Sequence, residues 1–285
     1  MNKTLRDMLK GIRAGDVLGF LGVALSLIAL FRDKSLQNDA TVWVFGTYIF
    51  TLAALLVWRE FVYSRKARYA EASNSMHKCA HALRDAHGAV DRKNLEQVHE
   101  KVRDALVSFA DAFSLITGAN CRACIKTITA ATDSKGNDQT IFCTETLARS
   151  CTSERTDADE PAPINDNTDF KVLFERQQTY FASDDLSGEL AYMNSHWPSN
   201  PDKRKEFIRL RKYKYVTTVV WPIRSPAPTV KEMPQVIGYL CVDSLTRGIF
   251  ERRYDIDLGA VIADTLYPLL LRYRNTAEFH VPHAA

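Results

Sequence analysis

The stretch VIGYLCVDS, Val236–Ser244, has the composition of a buried β-strand. Strict alternation would place its side chains on two faces: Val236, Gly238, Leu240 and Val242 on one, and Ile237, Tyr239, Cys241 and Asp243 on the other. Neither face is cleanly polar, which is typical of a strand that is covered on both sides. Cys241 and Asp243 share a face, but no histidine lies close in sequence to activate the thiol. We therefore expect Cys241 to pack in a sheet and Asp243 to end the strand.

The segments around this strand alternate between extended and helical patterns. CIKTITA (124–130) and TIFCTETLA (140–148) are rich in β-branched residues and flank a polar loop with a Gly-Asn turn, which predicts a hairpin. The predicted order that follows is a polar mobile loop (152–169), an amphipathic helix (169–178), the strand TYFASDDL (179–186), a long irregular excursion, the strand YVTTVVWPIRS (215–225), the opening strand and a terminal helix.

Two further helices are predicted before the hairpin, at about 60–90 and 95–117, because apolar residues recur there every three or four positions. Asn94, with Gln97 three residues later, resembles a capping box, and Gly118 is placed to end the second helix. His77 and His81 lie one turn apart, but no further ligand at a matching spacing accompanies them. A solvated helix face is therefore favoured there over a metal site.

This order of elements resembles the GAF-domain family. The resemblance is carried by YFASDDL (180–186), YVTTVVWPIRS (215–225) and VIGYLCVDSLTRGIFERRYDIDLGAVIADTL (236–266), and it covers about residues 95–275. It implies an α+β fold, in which a six-stranded antiparallel sheet has helices on both sides and a ligand pocket on one face. Family members are mostly small-molecule sensors that bind cyclic nucleotides, tetrapyrroles or other metabolites, and a few are enzymes that reduce free methionine sulfoxide.

The chain departs from the specialised members of that family. No cysteine occurs between Cys151 and Cys241, and Cys143 and Cys151 lack the flanking glycines of the reducing enzymes, so we expect no enzymatic activity. His196 has no neighbouring cysteine for covalent tetrapyrrole attachment, and the cyclic-nucleotide-binding signature is missing. No cofactor is expected.

Two uncharged apolar segments, Val17–Phe31 and Ala40–Trp58, predict a membrane hairpin with spans at about 14–31 and 40–58. A span needs roughly 20 residues to cross about 30 Å of hydrocarbon, which the second segment reaches and the first reaches only with preceding residues. Lys and Arg cluster before the first span and after the second, so both termini are predicted to be cytoplasmic. Small residues at Gly11, Gly15 and Gly19 suit packing within the hairpin or between neighbouring chains.

A basic run at 202–215, DKRKEFIRLRKYKY, interleaves Lys and Arg with aromatic residues. Guanidinium groups bind phosphate and aromatic rings stack on bases, so the run suits an anionic, nucleotide-like ligand. A solvated helix, or a face attracted to anionic lipid, is the alternative. The predicted ligand-binding residues are Phe174, Tyr180, Asp184, Asp185, Trp197, Arg204, Arg209, Arg211 and Tyr215.

The six cysteines are expected to be free thiols, because a cytoplasmic domain lies in a reducing compartment. A hairpin centred near Lys135 and Gly136 would place Cys121 opposite residue 150, beside Cys151, and Cys143 opposite residue 128. Cys121, Cys124 and Cys151 would then lie at one end of the hairpin, but a structural zinc site needs four ligands. We predict no metal site, with zinc at these three thiols as the alternative.

The sequence therefore predicts four regions: a membrane hairpin (1–58), a helical connector (59–94), a cytoplasmic GAF-like domain (95–275) and a tail (276–285). The predicted function is a sensor in the bacterial inner membrane that binds a small anionic ligand, cyclic nucleotides among the candidates, and relays its state to the hairpin or a partner. The alternatives are a membrane-disrupting effector triggered by a nucleotide second messenger and a dimerisation subunit without a ligand. The predicted partners are the lipid bilayer, the ligand and further copies of the chain, without nucleic acid.

Overall fold

The computed structural model describes residues 39–132, 140–151, 161–186, 215–226, 235–252 and 254–278, and between 191 and 210 all but 196, 199, 201, 204, 205, 208 and 209. The chain divides into two compact units, Met1–Ala70 and Glu71–Ala285. The predicted first span, at 14–31, lies outside the described residues.

Helix α1 (Asp39–Asp91) is continuous through the segments predicted as the second span and as the helix at 60–90. In its first part, large apolar side chains are exposed, including Phe50 at 77% and Trp58 at 67%. Among the described residues, no helix combines the length and the apolar character that crossing a membrane requires.

The second unit is built on a six-stranded sheet. Its elements are α2 (Leu95–Thr117), β1 (Cys121–Thr132), β2 (Thr140–Arg149), β3 (Ala162–Pro163), a 3-10 turn (Ile164–Asp166), α3 (Thr168–Glu175), β4 (Phe181–Ser183), β5 (Thr217–Arg224), β6 (Val236–Ser244) and α4 (Asp255–Glu278). The strand order is β3-β2-β1-β6-β5-β4, and every neighbouring pair is antiparallel. The predicted α+β class and six-stranded antiparallel sheet are confirmed.

Local sequence signals account for several element boundaries. The side chain of Asn94 accepts a hydrogen bond from the backbone N–H of Gln97 (3.1 Å), and α2 begins at the next residue. Gly118 ends α2 with φ at 71°, a left-handed conformation that glycine adopts without strain. The strand β3 was missed, because Ala162 and Pro163 lie in the segment predicted as a mobile loop.

Strict alternation along β6 is wrong at its start. The register shifts between Ile223 and Arg224 of β5, so that Gly238 lies opposite Ile223 and Val236 opposite Arg224. The extra residue, Ile237, turns toward the helices α2 and α4, whereas Val236 turns to the other face. This bulge exchanges the two faces for these first residues, as an inserted residue does in an antiparallel pair.

One face of the sheet is covered by α2 and α4. Trp221 of β5 lies at the centre of this core, where its indole N–H donates to the backbone oxygen of Ile256 (2.8 Å). The rings of Phe109 and Phe113 of α2 lie 6.4 and 5.9 Å from it, centroid to centroid. Gly259 of α4 passes directly over the indole, where a Cβ atom would overlap the ring. The close packing fixes α4 against the sheet.

The other face of the sheet is covered by α3 and is called the α3 face below. Its core consists of Cys124, Ile128, Ile164, Phe170, Leu173, Val220, Val236, Tyr239 and Cys241. The predicted placement of helices on both sides of the sheet is therefore confirmed.

Candidate functional site

A buried carboxylate lies at the start of α3. Asp169 is 3% exposed, although an ionised side chain is rarely buried without a partner. Its Oδ1 accepts the backbone N–H of Phe170 (2.9 Å), and its Oδ2 accepts the phenol O–H of Tyr192 (3.1 Å). Tyr192 belongs to the excursion between β4 and β5, so this hydrogen bond joins the excursion to the α3 face.

Burial raises the pKa of Asp169 from 3.8 to about 6, because the charged form loses its hydration. The hydrogen bonds from Phe170 and Tyr192, and the positive charge of Lys126, oppose the shift without cancelling it. The same burial raises the pKa of the Tyr192 phenol well above its usual value, with a further contribution from Asp169. A carboxyl group that titrates near neutral pH is a common feature of functional sites.

Two further polar groups surround this carboxylate. The O–H of Tyr239, on β6, donates to the backbone oxygen of Phe170 (3.2 Å), and the two rings stack at 4.6 Å. The ammonium group of Lys126, on β1, lies 6.0 Å from the centroid of the Phe170 ring. The residues that line this site thus come from two central strands, α3 and the excursion.

Three of the predicted ligand-binding residues lie on this side of the sheet: Phe174, Trp197 and Tyr215. Tyr215 and Asn194 are hydrogen-bonded to Tyr192, and the side-chain amide of Asn194 donates to the Tyr215 oxygen (2.7 Å). Trp197 packs edge-on against Tyr192 with the ring centroids 5.2 Å apart. Phe174 packs at the margin of the α3 face. Tyr192 therefore connects Trp197 and Tyr215 to Asp169.

The other predicted residues do not join this cluster. Tyr180 packs against the core on the opposite face of the sheet. Asp184 and Asp185 form ion pairs with Arg252 (3.5 Å) and Arg247 (3.3 Å), which precede α4. Arg204, Arg209 and Arg211 lie outside the described residues.

A second cluster lies where β1 begins and β6 ends. Arg122 donates two hydrogen bonds to Oδ1 of Asp243, at 2.8 and 2.6 Å, across the two strands. Asp243 thus pairs with a cation as well as lying near the end of its strand. Cys241 packs in the sheet as predicted; it lies on the α3 face, directly opposite Cys124 on β1.

The cysteine arrangement differs from the predicted group of three. Cys121 is buried in the core beneath the helices, whereas Cys124 faces α3, because residues three apart on a strand point to opposite faces. Cys143 lies opposite Thr129, one residue from the expected position. Within the part of the chain that the structure describes, no group of three or more His, Cys, Asp or Glu side chains is arranged to hold a metal ion.

Sequence reasoning missed Asp169, Tyr192, Lys126 and the Cys124–Cys241 pair. Asp169 has the sequence context of an ordinary residue in the first turn of a helix, and Tyr192 lies in a segment without periodicity. Lys126 and Tyr239 carried a usable signal, because each is a polar residue in an otherwise apolar strand.

No protein-family model matches the sequence, and no curated protein matches it. Solved structures similar to this chain include a type II free methionine-R-sulfoxide reductase from Thermoplasma acidophilum (14% identity, TM-score 0.40, 61% of this chain and 96% of that chain). A second is the GAF domain of an Acinetobacter phosphoenolpyruvate-protein phosphotransferase (10% identity, TM-score 0.39, 70% of this chain and 97% of that chain). A third is the phycocyanobilin-bound GAF domain of a cyanobacterial phytochrome (12% identity, TM-score 0.37, 71% of this chain and 97% of that chain). At these identities and TM-scores, the similarity establishes neither family membership nor a shared function.

Proposed function

We propose that this chain is a sensor rather than an enzyme, and that it binds a small, anionic, nucleotide-like molecule on the α3 face of its sheet. The observation that carries the proposal is the buried Asp169–Tyr192 hydrogen bond, which joins the excursion to the sheet. A buried carboxylate with a raised pKa lowers the stability of the fold near neutral pH. Its presence beneath aromatic side chains is explained if it recognises a ligand.

The base and the phosphate groups of such a ligand would each meet complementary side chains. The carboxylate of Asp169 accepts N–H donors, which nucleobases carry on their edges, and the ring of Trp197, which packs against Tyr192, offers a stacking surface. The basic run of the excursion supplies cations for phosphate groups. This division of roles favours a nucleotide over a purely apolar metabolite.

Ligand entry would require the excursion to move. Tyr192 is 1% exposed and occupies the space over Asp169. The backbone of Met193 exchanges hydrogen bonds with Thr168 (3.0 and 2.8 Å), and Ser195 donates to Asn167 (3.0 Å), so the excursion is fastened to the start of α3. A ligand that replaces Tyr192 at Asp169 therefore shifts α3 and the excursion together, which is the change of state that a sensor needs.

We further propose that residues 1–58 hold the chain in a bacterial inner membrane and that α1 transmits the change. The support is the exposure of Phe50, Leu55 and Trp58, which suits lipid contact, and the continuity of α1 from Asp39 to Asp91. The output would be a rearrangement of the hairpin or the engagement of a partner. Ligand-dependent dye leakage from vesicles that contain the full-length chain would favour the hairpin, and intact vesicles at saturating ligand would favour a partner.

The binding proposal is tested with the purified full-length chain and a panel of mono-, di- and cyclic nucleotides. A nucleotide that binds should raise the unfolding temperature with increasing concentration. Asp169→Asn and the triple variant Arg204→Gln, Arg209→Gln, Arg211→Gln should each weaken this response at least tenfold. The control is Asp111→Asn, which neutralises an exposed carboxylate of α2 on the other side of the sheet and should bind normally.

Asp169→Asn is informative because it is expected to stabilise the free chain, so that a loss of binding in this variant is not a folding defect. Unchanged nucleotide binding in both Asp169→Asn and the triple variant would refute the proposed site. Absence of a response to every nucleotide, together with no small molecule in the purified chain by mass spectrometry, would refute the proposed ligand class.

A further inference from the structure

Cys124 and Cys241 lie directly opposite each other on the antiparallel strands β1 and β6. Directly opposite residues have Cα atoms about 4.5 or 5.5 Å apart, and both values lie within the roughly 4.4–6.8 Å that a disulfide bond spans. Both side chains point to the α3 face, and they are 9% and 6% exposed. The two thiols can therefore be joined without a large movement of the backbone.

The two thiols have different acidities. The hydrogen bond with Cys241 lowers the pKa of Cys124 to about 7, and the charges of Lys126 and Arg149 lower it further, against the opposing effect of burial. The pKa of Cys241 is raised well above the usual value by its hydrogen bond with Cys124 and by burial. Cys124 also lines the pocket described next, whereas Cys241 is not among its lining residues, so Cys124 is the thiol that peroxide meets first.

Cys124 is one of the residues that line a small pocket near the start of β1. The pocket has a volume of about 30 Å³, and Arg122, Arg149 and the exposed Cys151 form its walls together with Cys124. This volume admits a molecule the size of water or hydrogen peroxide, whereas drug-sized ligands need roughly 300–1,000 Å³. Asp243 also lines the pocket and pairs with Arg122, so it is the charge of Arg149 that favours the thiolate of Cys124, against an opposing effect of Asp243.

We infer that Cys124 and Cys241 are a peroxide-responsive thiol pair that closes to an intramolecular disulfide. In the first step the Cys124 thiolate attacks one oxygen of hydrogen peroxide, the O–O bond breaks, and the leaving hydroxide takes a proton to become water. In the second step the sulfur of Cys241, after losing its proton, attacks the sulfenic acid at Cys124, the S–S bond forms, and a second water leaves. Two thiols are oxidised to one disulfide and one peroxide is reduced to two waters.

Cys143 provides the matched control for this chemistry. It is a buried thiol on the neighbouring strand β2, but its cross-strand neighbours are Thr129 and Pro163, so no thiol lies opposite it. Burial raises its pKa, which lowers the thiolate fraction at neutral pH. Cys143 should therefore react with peroxide more slowly than Cys124, by a factor of about ten or more.

The test uses the reduced full-length chain, treated at pH 7 with a small excess of hydrogen peroxide, alkylated, and digested without reduction. Mass spectrometry should find the peptides of Cys124 and Cys241 linked and lighter by two hydrogens, and the link should disappear after dithiothreitol. In Cys241→Ser, a 1,3-diketone probe should label Cys124 as sulfenic acid. Cys143→Ser should form the same link at the same rate as the native chain.

The mapping on the native chain decides the inference even if Cys241→Ser fails to fold. A link between Cys124 and Cys151, or oxidation of Cys151 alone, would overturn the assignment of Cys241 as the partner. Oxidation of Cys143 as fast as Cys124 would overturn the assignment of Cys124 as the reactive thiol. These outcomes are independent of nucleotide binding, because the mapping needs no ligand on the α3 face.

Discussion

Replacement of Asp169 by asparagine should stabilise the protein at neutral pH. The carboxyl group has a pKa of about 6 in the folded state and an ordinary value near 3.8 in the unfolded state. Because the folded-state pKa is the higher one, the stabilising contribution of the protonated group is complete below pH 3.8 and is lost as the pH rises through 6. The difference of about two units corresponds to about 3 kcal/mol at pH 7 and above.

Asparagine keeps the shape of the side chain and does not ionise, but it has one acceptor oxygen in place of two, so either Phe170 or Tyr192 loses its acceptor. The loss of this acceptor does not depend on pH, whereas the contribution of titration to the unfolding free energy gained by Asp169→Asn should grow from about 0.5 kcal/mol at pH 4 to about 3 kcal/mol at pH 7. For a domain of this size, a gain of 3 kcal/mol raises the unfolding temperature by roughly 6–12 °C. Urea denaturation followed by tryptophan fluorescence measures the difference, since Trp221 is buried in the core.

The pH dependence separates this explanation from a general effect of losing a charge. Asp111→Asn, on the exposed side of α2, should show a difference near zero throughout the same pH range. A gain for Asp169→Asn that does not change between pH 4 and pH 7, or a loss of stability at pH 7, would refute the proposed cost of burying the charge.

Two further predictions concern the core and the β1–β6 junction. Gly259→Ala should destabilise the protein by about 1–3 kcal/mol, because the new methyl group overlaps Trp221 and this outweighs the gain of about 0.5–1 kcal/mol in helix propensity. In the control variant Gly88→Ala, only the end of a flexible arginine is near the new methyl group, so this variant should stabilise the protein by the helix-propensity gain alone. Urea midpoints that shift in the same direction for both variants would contradict the packing argument. Asp243→Asn should cost about 1–3 kcal/mol, because Arg122 loses a charged, partly buried partner. A double-mutant cycle with Arg122→Gln should show coupling, and additive losses would contradict the ion pair.

Several elements were predictable because their signals are local. The cap at Asn94 and the glycine at Gly118 set the limits of α2, since both act on backbone groups within one turn. The apolar, β-branched composition of Val236–Ser244 predicted β6 with its boundaries. The hairpin register was predicted to within one or two residues, because the turn signal between the two strands limits which residues can pair.

The candidate sites were less predictable, because they depend on contacts between distant segments. Nothing near Asp169 in sequence distinguishes an exposed residue in the first turn of a helix from a buried one. Its burial depends on Tyr192, which reaches it from the excursion. Likewise, the two thiols of the Cys124–Cys241 pair meet only because β1 and β6 are neighbours in the sheet.

The sequence by itself determined most of the helices and strands, although not β3, and it predicted a sheet whose two faces are both covered. Only the tertiary structure decided which side chains share a face and which groups are buried. The bulge at Ile237 reversed the faces of two residues, and the strand order brought Cys241 to Cys124. The physical reason is that element type follows from local backbone and side-chain preferences, whereas burial, pKa and thiol pairing follow from registers set between segments far apart in the chain.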